Sequence, residues 1–176
     1  MSDDLGARLK AASLLEGDFV LRSGKRSKVY LDKYLFETQP ALLADIAAGF
    51  ADTLAPFEPV DVLAGPELGA VALVTAVALR TGKPFVIVRK AEKGYGTRKL
   101  FEGRAEPGQR VVVVEDVVTT GGAALAAVER LRESGLEVLA LLCVVDRGQG
   151  GAEAFAAADV PFVPLFTAAG LGIRIE

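Results

Sequence analysis

The most informative string in the chain is Val111-Val112-Val113-Val114-Glu115-Asp116-Val117-Val118-Thr119-Thr120-Gly121-Gly122-Ala123. Four valines read as a buried strand that delivers two adjacent carboxylates. A Thr-Thr-Gly-Gly turn follows, and then an alanine-rich stretch. Small residues let successive backbone N–H groups converge on an anion, and a helix starting there adds partial positive charge. Threonine hydroxyls can donate to the same anion. Two carboxylates beside such a cradle suit a sugar phosphate. Glu115 and Asp116 would accept hydrogen bonds from sugar hydroxyls while Val117 to Ala123 carry the phosphate. No Gly-Lys-Ser/Thr follows, so this is not a Walker loop, and the Gly-x-Gly-x-x-Gly dinucleotide pattern is absent. The plainer alternative is a strand end with solvated acids and an ordinary helix cap.

Composition removes other chemistries. The 176 residues include no histidine, which excludes imidazole catalysis and histidine metal sites. A single cysteine, Cys143, allows neither an internal disulfide nor a thiolate cluster and reads as a small core residue. A reducing cytoplasm is the expected compartment. Mean hydropathy is high at +0.36. The longest uncharged stretch, Val160 to Ile173, is nevertheless interrupted by Pro161, Pro164, Gly170 and Gly172 and is too short to span a bilayer. Net charge is −3, which disfavours a nucleic-acid partner. Arg89, Lys90, Lys93, Arg98, Lys99 and Arg104 cluster within residues 89–104 against Glu92 and Glu102. A cationic segment on an acidic body suggests a polyanionic ligand held at one place, although a charge run is also what a solvated segment looks like.

The elements that position these residues follow from periodicity. Leu5, Leu9 and Ala12 share one helix face. Phe19, Leu21, Val29 and Leu31 alternate with polar residues around Ser23-Gly24, which predicts an antiparallel hairpin. Pro40 opens a helix carrying Leu42, Leu43, Ile46 and Phe50. From residue 60 onward, apolar runs (60–64, 85–88, 111–114, 138–145, 162–165) alternate with helical stretches (70–80, 123–132, 151–158). Such alternation predicts a parallel α/β sheet with helices on its faces. Ligands bind such sheets beyond the carboxyl ends of the strands, which directs attention to residues 65–69, 89–104, 115–123 and 146–151.

The 111–123 string resembles the signature of the type I phosphoribosyltransferases: a hydrophobic strand, two acids, and a Thr/Gly-rich loop for the 5′-phosphate of phosphoribosyl pyrophosphate (PRPP). Three further segments resemble the orotate phosphoribosyltransferases within that family. Phe19 to Tyr30, with Arg22-Ser23-Gly24-Lys25-Arg26-Ser27, is similar to their N-terminal hood. Val88-Arg89-Lys90-Ala91-Glu92-Lys93-Gly94-Tyr95-Gly96 is similar to their Arg-Lys-x-x-Lys-x-His-Gly loop. Asp146-Arg147-Gly148-Gln149-Gly150-Gly151 is similar to their Asp-Arg-x-x-Gly-Gly strand end. The resemblance implies one domain over residues 1–176, with a hood over about 1–37 and a PRPP-binding core over about 38–176.

The same resemblance implies the chemistry. Orotate would be joined to ribose C1′ with loss of pyrophosphate, giving orotidine 5′-monophosphate for pyrimidine synthesis. Mg²⁺ would be held mainly through PRPP, with no protein ligand assigned. Arg89, Lys90, Lys93 and Tyr95 would contact PRPP along with residues 115–123, and Lys93, Glu115 and Asp116 would carry the catalytic work. Gly65-Pro66-Glu67-Leu68-Gly69 would approach pyrophosphate, or be a plain turn between strand and helix. Arg22, Thr119 and Arg147 would meet orotate; Arg22 alone could equally be a surface charge. Tyr30 and Tyr34 could be hood core. A homodimer with a lid shared across subunits is implied. Two positions depart from the family pattern: Tyr95 replaces the loop histidine, and Ala123 stands where many relatives have Ser or Thr. A purine phosphoribosyltransferase and a PRPP-sensing regulator without catalysis are the alternatives.

Overall fold

The computed structural model describes residues 3–20, 24, 26–90 and 100–174. Helix α1 (Asp3–Ser13) runs into a two-stranded antiparallel sheet, β1 (Leu14–Val20) and β2 (Arg26–Leu31). A short helix, α2 (Tyr34–Glu37), and a longer one, α3 (Pro40–Leu54), lead to the main body. That body contains β3 (Val62–Pro66), α4 (Ala70–Thr81), β4 (Phe85–Val88), β5 (Phe101–Glu102), β6 (Arg110–Val118), α5 (Gly122–Glu133), β7 (Glu137–Asp146), α6 (Gly151–Ala157) and β8 (Phe162–Thr167).

The six strands lie in the order β5-β4-β3-β6-β7-β8. Five are mutually parallel, as the alternating pattern predicts. The exception is β5, a two-residue edge strand that pairs antiparallel with β4. It is too short to leave a periodic signal and was not expected. The chain moves from β3 to β4 on one side and returns through β6 on the other. This reversal opens a crevice between β3 and β6, where open α/β sheets bind ligands.

Period-two alternation divides the core between the sheet's faces. Val112, Val114, Leu142 and Val144 pack with α1, α3 and α4, where Leu9, Ile46, Phe50 and Leu73 are buried. Val111, Val113, Leu141 and Cys143 face the other way, against Ala127, Val128 and Leu131 of α5 and Phe155 of α6. Both faces are covered, so central strands read as unbroken apolar runs. The predicted helix faces are the buried ones: Leu5, Leu9, Leu42, Ile46 and Phe50 all lie in the core. α2 was not expected. Four residues carry no periodicity, yet Phe36 is fully buried and fastens this helix to the same core.

Candidate active site

The acidic pair lies inside β6. The strand continues beyond Val114 to Val118, pairing Glu115 with Cys143 and Val118 with Asp146 of β7. A strand ending before the acids is therefore corrected, and so is the alternative of solvated carboxylates. Glu115 is 9% exposed and Asp116 only 3%. Backbone N–H groups meet both: Glu115 Oε1 accepts from Asp116 N at 3.0 Å, and Asp116 Oδ1 accepts from Val117 N. Burial, reinforced by the neighbouring Asp116 charge, pushes the Glu115 carboxyl well above the usual range.

The turn after β6 is shaped by two glycines. Gly121 has φ +82°, a conformation that side chains disfavour, and it caps α5. The first N–H groups of α5 point into the turn with no partner in their own helix. Gly151, at the start of α6, backs the turn closely: an added Cβ would lie 2.5 Å from Val118 Cγ1 and 3.2 Å from Thr119 O. The 119–123 turn and the 146–151 loop are thus packed together through glycine. Thr119 is half-buried, and Thr120, Gly122 and Ala123 are exposed at the mouth.

Arg147 begins where β7 ends. Its N–H donates to Val118 O at 2.9 Å, which fastens it beside the turn. The side chain is half-buried, and its Nε is buried without a hydrogen-bond partner among the described residues. Burial draws its pKa down, an effect that Tyr30 of the hood opposes. Arg147 therefore faces the hood with unspent donor capacity. Tyr30 is 42% exposed, stacked on Phe19 at 5.5 Å, and Tyr34 is also exposed. Neither is core, which corrects that alternative.

The β3 turn closes the other side of the crevice. The Glu67–Leu68 peptide is cis, and Glu67 N donates to Val88 O at 2.9 Å. Glu67 Oε1 accepts from Lys90 N at 2.8 Å, and Arg130 of α5 donates to Lys90 O at 2.8 Å. Arg89 pairs with Glu102 at 3.2 Å, and its N–H donates to Leu100 O at 3.0 Å. Arg89 and Leu100 therefore form the base of the cationic segment. Gly65 and Gly69 both require the absence of a side chain. A Cβ on Gly65 would lie 2.6 Å from Val74 Cγ1, and one on Gly69 would overlap Asp116 Oδ2 and Lys33 Nζ.

Lys33 belongs to the site although motif reading passed over it. It immediately precedes α2, and its Nζ donates to Asp116 Oδ2. Burial opposes its charge, but its hydrogen bond to Asp116 and the charges of Asp116, Glu115 and Glu37 prevail and raise its pKa. Glu37 sits four residues on, 3% exposed, with Oε1 unpartnered among the described residues. The sequence signal for Lys33 and Glu37 is their i,i+4 spacing; the contact of Lys33 with Asp116 joins residues 83 apart. Arg22, Lys93 and Tyr95, with Arg98 and Lys99, lie outside the described residues. The other candidate residues converge on the β3/β6 crevice and its rim.

Comparison with known proteins agrees with this geometry. Residues 36–160 match the family model described as "Phosphoribosyl transferase domain". The orotate phosphoribosyltransferase of Halobacterium salinarum is 47% identical over 171 residues, covering 97% of this chain and 96% of the relative. The crystal structure of the Aeropyrum pernix orotate phosphoribosyltransferase superposes with a TM-score of 0.85 at 34% identity, covering 95% of each chain. The Mycobacterium tuberculosis orotate phosphoribosyltransferase, crystallised in complex with PRPP, gives a TM-score of 0.82 at 32% identity, covering 97% of this chain and 98% of the other.

One prediction follows from the buried carboxyl on α2. Burial, and then the Asp116 charge, pushes Glu37 from 4.5 up to about 8. A carboxyl whose pKa rises on folding stabilises the fold fully below its unfolded pKa and loses that contribution as pH climbs to its folded pKa. Wild-type stability should therefore fall across this window partly through Glu37. Glu37→Gln should remove that part, improving stability relative to wild type by about 1 kcal/mol or more between pH 5 and pH 8.5. Urea unfolding at both values checks it; a difference independent of pH contradicts it.

Proposed function

The chain belongs to the phosphoribosyl transferase domain family and to its orotate phosphoribosyltransferases, and on that premise we propose how its site performs the reaction. The enzyme transfers the 5-phosphoribosyl group of PRPP to orotate, giving orotidine 5′-monophosphate and pyrophosphate in pyrimidine biosynthesis. The observation that carries the reading is the buried Glu115-Asp116 pair running directly into a glycine-shaped turn at the β3/β6 crevice.

In this reading the 5′-phosphate sits at the 119–123 turn, on the N-terminal N–H groups of α5. Glu115 and Asp116 accept from the ribose hydroxyls. Pyrophosphate lies along residues 65–69, a turn that Gly65 lets pack tightly against Val74 and in which Gly69 leaves room for the Lys33–Asp116 pair. Arg147, with its unspent buried donor, meets the carbonyl or carboxylate oxygens of orotate together with Thr119 and, from the hood, Arg22. As the C1′–O bond to pyrophosphate breaks, that bonding pair leaves with the pyrophosphate, and orotate N1 forms the new bond to C1′ with inversion. Positive charge develops on the ribose, so fixed negative charge beside it and positive charge on the leaving group lower the barrier. The rest of catalysis is positioning.

Mg²⁺ fits as a companion of the substrate. Groups of three or more His, Cys, Asp or Glu able to hold a metal are absent among the described residues. Magnesium commonly keeps its waters and binds through substrate phosphates, as the diphosphate of PRPP would allow. When bound, it neutralises the departing pyrophosphate. Lys93 is assigned to the same charge from a lid that closes over the site of a partner subunit in a homodimer. Arg89 and Lys90 set the base of that lid, and Tyr95 supplies a hydroxyl where relatives carry imidazole. No helix among the described residues is long and apolar enough to cross a membrane; the proposed compartment is the cytoplasm.

The direct test is incubation with PRPP, Mg²⁺ and one base at a time. Orotate should be consumed and pyrophosphate released; equal or better turnover of hypoxanthine, guanine or adenine would move the assignment to the purine enzymes. Arg147→Ala should weaken orotate binding by about 1.5–3 kcal/mol, or roughly one to two decades, with PRPP binding nearly intact. An equal loss for both ligands in separate titrations would mean that Arg147 supports the strand end as a whole. Lys93→Ala should lower kcat far more than it weakens orotate binding. Mixing it with inactive Asp116→Asn should restore some activity through hybrid dimers, and no recovery after verified subunit exchange would place the lid in its own subunit.

A further inference from the structure

Asp116 has a second neighbour besides the ligand assigned to it. Its Oδ2 accepts from Lys33 Nζ, and its Oδ1 from Val117 N. Two donors on different oxygens fix the plane of the carboxylate, and each oxygen keeps a lone pair for a further donor. Lys33 is the ion-pair partner that the described residues give Asp116. It approaches from the hood side, over Gly69: a Cβ there would overlap both Asp116 Oδ2 and Lys33 Nζ. The pair therefore spans the crevice from the end of β6 to the turn after β3.

Charge makes the cation consequential. Glu115 and Glu37 both stand close enough to act electrostatically on the same group, Glu115 on β6 itself and Glu37 on α2. Three carboxyls gathered in a buried space repel one another when charged. A cation among them offsets part of that repulsion and orients the carboxylate it touches. Lys33 in turn is held by its neighbours: α2 is fastened by fully buried Phe36, and Lys33 Nζ lies 5.3 Å from the ring centre of Tyr34.

We propose that Lys33 is a positioning residue for PRPP, holding Asp116 as an oriented carboxylate so that its remaining lone pairs meet the ribose hydroxyls. The proposal rests on the reading of Asp116 as a ribose acceptor. It also ties the hood to PRPP and not only to orotate, since the cation stands on the hood side of the crevice. Lys33 acts through Asp116 and is not itself assigned a contact with substrate.

Titration calorimetry with PRPP and Mg²⁺, and separately with orotate, tests this on Lys33→Met, Lys33→Arg and Asp116→Asn. Lys33→Met keeps a chain of similar reach without the charge. It should weaken PRPP binding about tenfold or more while orotate affinity changes by less than about twofold. Lys33→Arg should recover most of the PRPP affinity, because it restores a cationic donor; a packing role alone would not predict rescue by charge. Unchanged or tighter PRPP binding by Lys33→Met would overturn the proposal, the tighter result identifying the lysine as a plug that PRPP displaces. Failure of Lys33→Arg to rescue would overturn it as well. If Asp116→Asn keeps full PRPP affinity, the ribose reading of Asp116 fails first and takes the proposal with it. If Asp116→Asn loses PRPP while Lys33→Met does not, the proposal alone fails.

Discussion

Two adjacent carboxyls buried in a central strand are the constraint that the rest of the structure meets. Taking an ionised carboxylate out of water is costly unless hydrogen bonds and an opposite charge receive it. Here the backbone supplies N–H groups to both side chains, and Lys33 supplies the charge to Asp116. That cation reaches the site only because Phe36 anchors a four-residue helix in the core. Gly69 leaves room for the pair, so the β3 turn is shaped by the same contact. A hood, a strand and a turn distant in sequence are held together around one charge.

The fold sets this arrangement where open parallel sheets present ligands. β3 and β6 lie side by side at the reversal of strand order, and their outgoing turns bound the crevice. The turn after β6 is set by glycines at 121 and 151, and packing through Gly151 joins it to the loop carrying Arg147. The residues proposed to receive base, sugar and phosphate thus share a framework of strand ends, with Lys33 reaching it from the segment before α2. In such a design rigid elements do the positioning and few side chains need to react.

Much of this was legible in the sequence because it is local. The valine run, the Thr-Thr-Gly-Gly turn and the Asp146-Arg147 strand end each sit on one element, and their chemistry follows from neighbours along the chain. The continuation of β6 through Glu115 and Asp116 was not legible. Charged residues read as the end of a buried strand, and only pairing with β7 as far as Asp146 keeps them inside it. Lys33 and Glu37 were hidden for a related reason. The helix that Lys33 precedes and Glu37 ends is too short for periodicity, and Lys33 gains its significance from a contact with Asp116, 83 residues away. Arg147 is legible from its position at a strand end, but its buried, unpartnered Nε follows from three-dimensional packing that the chain's local pattern does not carry.

The central claim is that the buried acidic pair receives the ribose while the following turn receives the phosphate. A crystal structure of the protein with PRPP and Mg²⁺ measures this directly. The account predicts the 5′-phosphate against the backbone N–H groups of residues 119–123, and ribose hydroxyl oxygens within about 2.5–3.0 Å of the Glu115 and Asp116 carboxylates. A phosphate bound elsewhere, or a ribose whose hydroxyls face solvent while Glu115 and Asp116 keep only protein partners, would contradict it.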